Sequence, residues 1–144
     1  MNAKTFQRQI DDQELQAAIR EAERGTSGEI RVFISRREST DPLADARREF
    51  ERLGMTRTPL RNAVLLFFAP ESQRFAIVGD ESIHLRCGEA FWQSVAGEME
   101  QLLKQGDTNG AIIAGIRRAG AELTTHFPRH HGDRNDLPNK IVRN

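Results

Sequence analysis

Cysteine occurs once in these 144 residues, at Cys87. That excludes an intrachain disulfide and any zinc site built from cysteines. Long apolar runs are missing as well. The longest, residues 63–69, falls far short of the about 20 residues that a membrane-spanning helix needs. Residues 1–12 carry no apolar stretch of the kind that marks a secretory leader. The expectation is a cytoplasmic protein without a membrane span. Excess charge of one sign is also lacking: 21 basic and 21 acidic side chains leave a formal net charge of zero. Nothing therefore draws the chain as a whole toward nucleic acid or an anionic lipid surface.

What is present suits a folded domain. A hydrophobic share of 38% against a charged share of 29% decides against disorder. A chain of this length buries roughly two-thirds of its unfolded surface, enough for a core without covalent staples. No repeat, proline-rich linker or low-complexity stretch divides it. Residues 1–128 read as one domain, and residues 129–144 as a polar C-terminal tail, expected to be mobile as termini often are.

Local signals set the elements. Asp11 and Glu14 make a capping pair for a helix over residues 11–24, with Leu15, Ala18, Ile19 and Ala22 as its apolar stripe and Gly25 as its stop. Ile30, Val32 and Ile34 alternate along a strand over 29–35. Asp41-Pro42 starts a second helix that presents Leu43, Ala46, Phe50 and Leu53 on one face and closes at Gly54. A strand is expected over residues 62–69, whose centre, 63–68, is apolar on both faces, the pattern of a central strand covered on both sides. The turn at 70–73 predicts an antiparallel return over 74–79. Two helices follow, over 88–104 and from Asp107 to the stop at Pro128. Gly110, Gly115 and Gly120 each cost the last one about 1 kcal/mol against alanine, unless close packing requires them. The order predicts an α/β fold: a three-layer α/β/α sandwich whose small mixed sheet is flanked by about four helices. Its first two strands are parallel through a right-handed crossover.

This topology sorts polar residues to two ends of the sheet. Glu29, Arg61-Asn62 and Asp80 converge where the parallel strands begin. Hard cations take oxygen ligands, so Glu29, Asp80 and the Asn62 carbonyl are candidate ligands for calcium or magnesium. Arg61 is suited either to hold a phosphate or to neutralise Asp80 in a strand-end salt bridge. At the opposite end lie Ser35, Arg36, Arg37, Glu71 and Arg74, where open α/β sheets usually bind ligands. That arginine cluster suits a phosphorylated or acidic partner, or is a solvated face.

Other motifs carry less. His126, His130 and His131, with Asp133 and Asp136, are zinc or nickel donors without the spacing of a closed site. His84, near Asp80, is a candidate pH-sensitive neighbour. Arg129-His130-His131-Gly132 differs from the Arg-His-Gly phosphatase signature by an inserted histidine. Cys87 lacks the arginine that cysteine phosphatases place after it, since Gln93 stands there. No Gly-rich phosphate loop, His-Glu-x-x-His pair or nucleophile elbow occurs. Trp92 and the phenylalanines sit at core spacing, which leaves no platform for stacking bases.

Several of these pieces, in this order and spacing, resemble the TPM-domain family, named for thylakoid-lumen photosystem-repair and receptor-associated membrane proteins. They are Ser27-Gly28-Glu29-Ile30-Arg31-Val32, Leu53-Gly54-Met55 with Thr58, Arg61-Asn62 before the apolar strand, and Phe75-Ala76-Ile77-Val78-Gly79-Asp80. Ile83-His84, Trp92 with Met99, Gly115-Ile116 through Gly120 and Leu123, His126-Phe127-Pro128 and Asn135-Asp136-Leu137-Pro138 continue the match. The resemblance implies the α/β/α sandwich and puts Glu29, Arg61-Asn62 and Gly79-Asp80 on family motif positions. Some relatives are described as acid phosphatases and some as binding calcium or magnesium, while others lack phosphatase activity. Glu81-Ser82-Ile83 departs from the pattern, since a glycine is expected before the isoleucine. The expected function is a noncatalytic binding or scaffold module, metal-tuned at one sheet end and acting on a protein partner. The alternative is a metal-dependent acid phosphatase in which Asp80 and Glu29 hold the ion and Arg61 the phosphate. A metal chaperone using the histidine tail is a third reading.

Overall fold

Strands Glu29–Ile34 (β1) and Ala63–Ala69 (β2) run parallel, side by side, in the computed structural model, which describes residues 2–130 and 137–144. Helix Pro42–Arg52 (α3) connects them. The Asp41 carboxylate accepts the Ala44 N–H at 3.1 Å and Pro42 opens the first turn, so the start of α3 is written in two residues. A short 3-10 turn, Pro70–Ser72, then reverses the chain, and Arg74–Gly79 (β3) returns antiparallel beside β2.

Both faces of β2 are covered. Val64, Leu66 and Phe68 join Ile30, Val32 and Ile34 of β1 in the larger core, beneath helices Asp12–Glu23 (α2), Glu89–Lys104 (α5) and Thr108–His126 (α6). Ala63, Leu65, Phe67 and Ala69 face the other way, toward Phe33, Ala46, Phe50 and Met55 on the α3 side. The three-layer α/β/α sandwich with a mixed sheet is thus the observed fold. Asp11 caps α2 through the Glu14 N–H, and Asp107 caps α6 through the Gly110 N–H. The α6 glycines are explained by close approach. A Cβ on Gly120 would lie 2.6 Å from the Ala22 Cβ, and one on Gly115 would lie 2.8 Å from the Met99 sulfur.

Two helices add to the about four that the periodicity supports. Ala3–Gln9 (α1) is capped by Asn2 and buries Phe6, while Glu81–Cys87 (α4) is capped by Asp80 and buries Ile83. Each is two turns long with one fully buried side chain, too little for an apolar stripe to register. No helix among the described residues is long and apolar enough to cross a membrane.

The larger correction is at the C-terminal end. Residues 137–144 do not form a free polar tail. Ile141 is buried in the main core, and Val142–Arg143 (β4) pairs parallel with β1, giving the sheet order β3-β2-β1-β4. The Arg143 guanidinium makes a bidentate pair with Asp12 at 2.8 and 2.9 Å. The physical reason is the burial of β1 on both faces, which leaves its outer edge without water to bond to. A two-residue strand carries no alternation that sequence reading could detect. His131, Asp133 and Asp136 lie outside the described residues. If residues 137–144 are integral, Ile141→Ala should lower the unfolding free energy by about 2–3 kcal/mol, read from the urea midpoint. An unchanged midpoint would mean that this segment contributes nothing to the core.

Candidate functional site

At the amino ends of the parallel strands, Glu29 stands opposite Ala63 in the β1–β2 register. On the other side of Ala63, its carbonyl accepts the Asp80 N–H at 2.9 Å. Period-two alternation puts Glu29 on the same face as Phe33, and Asp80 borders a cleft with Phe50, Thr56 and Val78. Both carboxylates therefore belong to the α3 side of the sheet, separated by the small Ala63 side chain.

Arg61 is in the left-handed region, with φ of 52°, an uncommon conformation for a residue with a Cβ. Its side chain grips Asp80 through two bonds, Nε to Oδ2 at 2.7 Å and Nη2 to Oδ1 at 2.8 Å. Its carbonyl accepts the Ser82 N–H at 3.1 Å, so the backbone where the family pattern suggests glycine is tied to Arg61 itself. Asp80 Oδ1 also accepts the Glu81 N–H at 2.8 Å, which starts α4. Hydrogen bonding to Asp80 raises the Arg61 pKa above its already high ordinary value, so the guanidinium stays charged. Left-handed backbone at a non-glycine residue costs on the order of 1–3 kcal/mol, which the clamp and the Ser82 bond offset.

The other two candidates turn elsewhere. The Asn62 Nδ2 donates to Ser27 Oγ at 3.3 Å, and its backbone N–H donates to Thr58 Oγ1. Glu29 Oε1 accepts the Leu137 N–H at 2.7 Å. The structure thus joins Arg61 to Asp80, while Asn62 donates to Ser27 and Thr58 and Glu29 accepts from Leu137. A calcium or magnesium ion requires about six oxygens. Asp80 already accepts three hydrogen bonds, and among the described residues no group of three histidine, cysteine or acidic side chains is placed to hold a metal. An ion at Asp80 would have to share or displace its bonds to Arg61 and the α4 amide.

Sequence reasoning missed two buried charged residues beside this end. Glu23, at the last turn of α2, is only 3% exposed, and its Oε2 accepts the Ile30 N–H at 2.8 Å. Burial pushes its pKa up to about 7. The Ile30 bond opposes this, the Glu29 charge adds to it, and Arg129 counters it. Arg31 is 7% exposed, and burial lowers its pKa against the pull of Glu29. Arg31 lies between Glu29 and Phe33 on the face of β1 that turns to the α3 side. A hint for Glu23 did exist: an acid in a helix's last turn opposes the macrodipole and needs another reason to be there.

The remaining candidates separate. Ser35, Arg36 and Glu71 border one cleft at the carboxyl ends of the strands. Arg74 instead donates to the Thr40 carbonyl at 2.7 Å. His126 pairs with Glu122 at 2.7 Å, and the Cys87 thiol is pushed up to about 11 by burial, which makes it a poor nucleophile.

The mixed sheet between helical layers, with an Arg–Asp clamp where its parallel strands begin, defines a small α/β sandwich domain with a polar strand end. The TPM domain family model matches residues 2–122, and the chain belongs to that family. The chain is similar to the BA42 protein of the psychrophilic bacterium Bizionia argentinensis, solved by NMR. The two are 34% identical, with 92% of each chain covered and a TM-score of 0.85. It also shares its fold with the N-terminal domain of the cg2496 protein of Corynebacterium glutamicum. There the identity is 21%, over 88% of this chain and 84% of that one, with a TM-score of 0.61. Comparison with curated proteins found no match.

The Glu23 geometry sets a pH dependence. Its folded pKa of about 7 exceeds its ordinary 4.5, so the folded state holds the proton more tightly. Stability from this group is full below about pH 4.5, declines as pH rises to about 7, and is level above that. Glu23→Gln keeps an acceptor for Ile30 and removes the titration. Relative to it, the wild type should lose up to about 3 kcal/mol across that window in urea unfolding. Parallel profiles would show that Glu23 does not titrate as described.

Proposed function

We propose that this TPM domain is a noncatalytic binding module that presents the amino end of its parallel strands to a protein partner. The Arg61–Asp80 clamp carries the reading. It fixes an Arg61 guanidinium that remains 38% exposed, in a backbone conformation that only surrounding bonds sustain. Leu60, the residue before it, is half exposed. Arginine beside apolar surface is a frequent centre of protein–protein recognition. The hydrolytic alternative, with Asp80 and Glu29 on an ion and Arg61 on a phosphate, requires both bonds of the clamp to open first.

Two measurements test this reading. With p-nitrophenyl phosphate and magnesium, manganese or calcium, turnover should not exceed the protein-free background. Turnover that disappears in Asp80→Asn would establish the phosphatase instead. A calcium and magnesium titration followed by backbone NMR should give no saturable shifts at Glu29, Asn62 and Asp80. Saturable shifts there, lost in Asp80→Asn, would mean that an ion displaces Arg61.

A further inference from the structure

The opposite end of the sheet holds a cleft of about 720 Å³ between α1 and the segments that leave β1 and β2. It falls within the usual size range of small-molecule sites and lies outside the carboxyl ends of parallel strands, where open α/β sheets take ligands. Its charge is unbalanced. Lys4, Arg8 and Arg36 line it, and none has an acidic partner among the described residues, while Glu71 is the single carboxylate in the wall. This contrasts with Arg61 and Arg143, whose guanidinium groups are each bound bidentately by an aspartate.

The floor is built. Ser35 is 5% exposed and lines the cleft. Its Oγ accepts the Arg37 N–H at 3.1 Å and the Asn144 Nδ2 at 3.0 Å, so its own hydroxyl hydrogen has no acceptor among the described residues. Asn144 Oδ1 accepts the Arg36 N–H at 2.7 Å, which fixes the backbone from which the Arg36 side chain extends. A buried hydroxyl with a proton to give, held below three free cations, suits an oxyanion with several acceptor oxygens. Arginine forks match phosphate geometry in particular.

We infer that this cleft binds a small phosphate-bearing molecule, with Ser35 donating to a phosphate oxygen and Lys4, Arg8 and Arg36 balancing its charge. Ala3 and Pro70 supply apolar wall for the remainder of such a molecule. The site is at the far end of the sheet from the Arg61–Asp80 clamp and does not depend on the function assigned to that clamp.

The test is a titration of the full chain with phenyl phosphate, inorganic phosphate and benzoate, followed by backbone NMR. Phenyl phosphate should produce saturable shifts at Ser35, Arg36 and the amides of α1. Arg8→Ala and Arg36→Ala change exposed side chains, and each should weaken binding about tenfold, the lower end for a charge-assisted bond. Tighter binding of phenyl phosphate than of inorganic phosphate assigns the site to an ester; equal binding assigns it to the free anion, and both sustain the inference. Absence of saturable shifts at millimolar concentration would overturn it. So would benzoate binding as well as phenyl phosphate, shifts centred on Arg20, Arg24 and Arg129, or binding unchanged in both variants.

Discussion

Every hydrogen-bonding group along the two edges of β1 must find its partner inside the fold, because both faces of that strand are buried. On one edge β2 meets the requirement through a continuous parallel ladder. The other edge is completed in pieces. The Glu23 carboxylate takes the Ile30 N–H, β4 pairs with Phe33 and Ile34, and the Asn144 side chain takes the Arg36 N–H just past the strand. A buried acid, a two-residue strand and a side-chain amide are thus three answers to one constraint. Removing the Glu23 carboxylate leaves the buried Ile30 N–H without its acceptor, which is costlier than losing an exposed bond such as that at Arg36.

The same constraint makes the two ends of the sheet different. At the amino end the chain closes over itself: Leu137 bonds Glu29, Asn62 bonds Ser27, and Arg61 is locked onto Asp80. Asp80 is neutralised there by Arg61, while the Arg31 Nε is buried without a hydrogen-bond partner among the described residues. At the carboxyl end, Asn144 bonds the backbone of Arg36, and three cations around the cleft face a single carboxylate, Glu71. One sheet thus carries a clamped arginine at one end and, at the other, a recess lined by three cations and one carboxylate, which formal net charge alone conceals.

Family membership accounts for the scaffold and leaves the chemistry to the particular side chains. The similarity to BA42, at 34% identity over 92% of each chain, extends over the layers described above. The cg2496 domain, at 21%, shares the fold alone. At the amino end of this chain the particular side chains are Ser82 following Glu81, a left-handed Arg61, and an Asp80 whose oxygens are divided between a side chain and a helix cap.

Much of the architecture was legible because its determinants are short-range. The caps at Asp11, Asp41 and Asp107 act within one helical turn, and the apolar run 63–69 announces a strand covered on both sides without reference to what covers it. The site was only half legible. Spacing brought Arg61, Asn62, Glu29 and Asp80 to one end of the sheet. Whether Asp80 would meet an ion or an arginine 19 residues away depended on where the Arg61 backbone turned. Neither the burial of Arg31 nor the use of the Glu23 carboxylate on the edge of β1 was read from the sequence, although an acid in the last turn of α2 was a hint. By itself, the sequence determined the layers and their order, since periodicity and capping are local free energies. Which polar groups are paired, and which left open, was decided only by the tertiary structure, because desolvation is a property of everything that surrounds an atom.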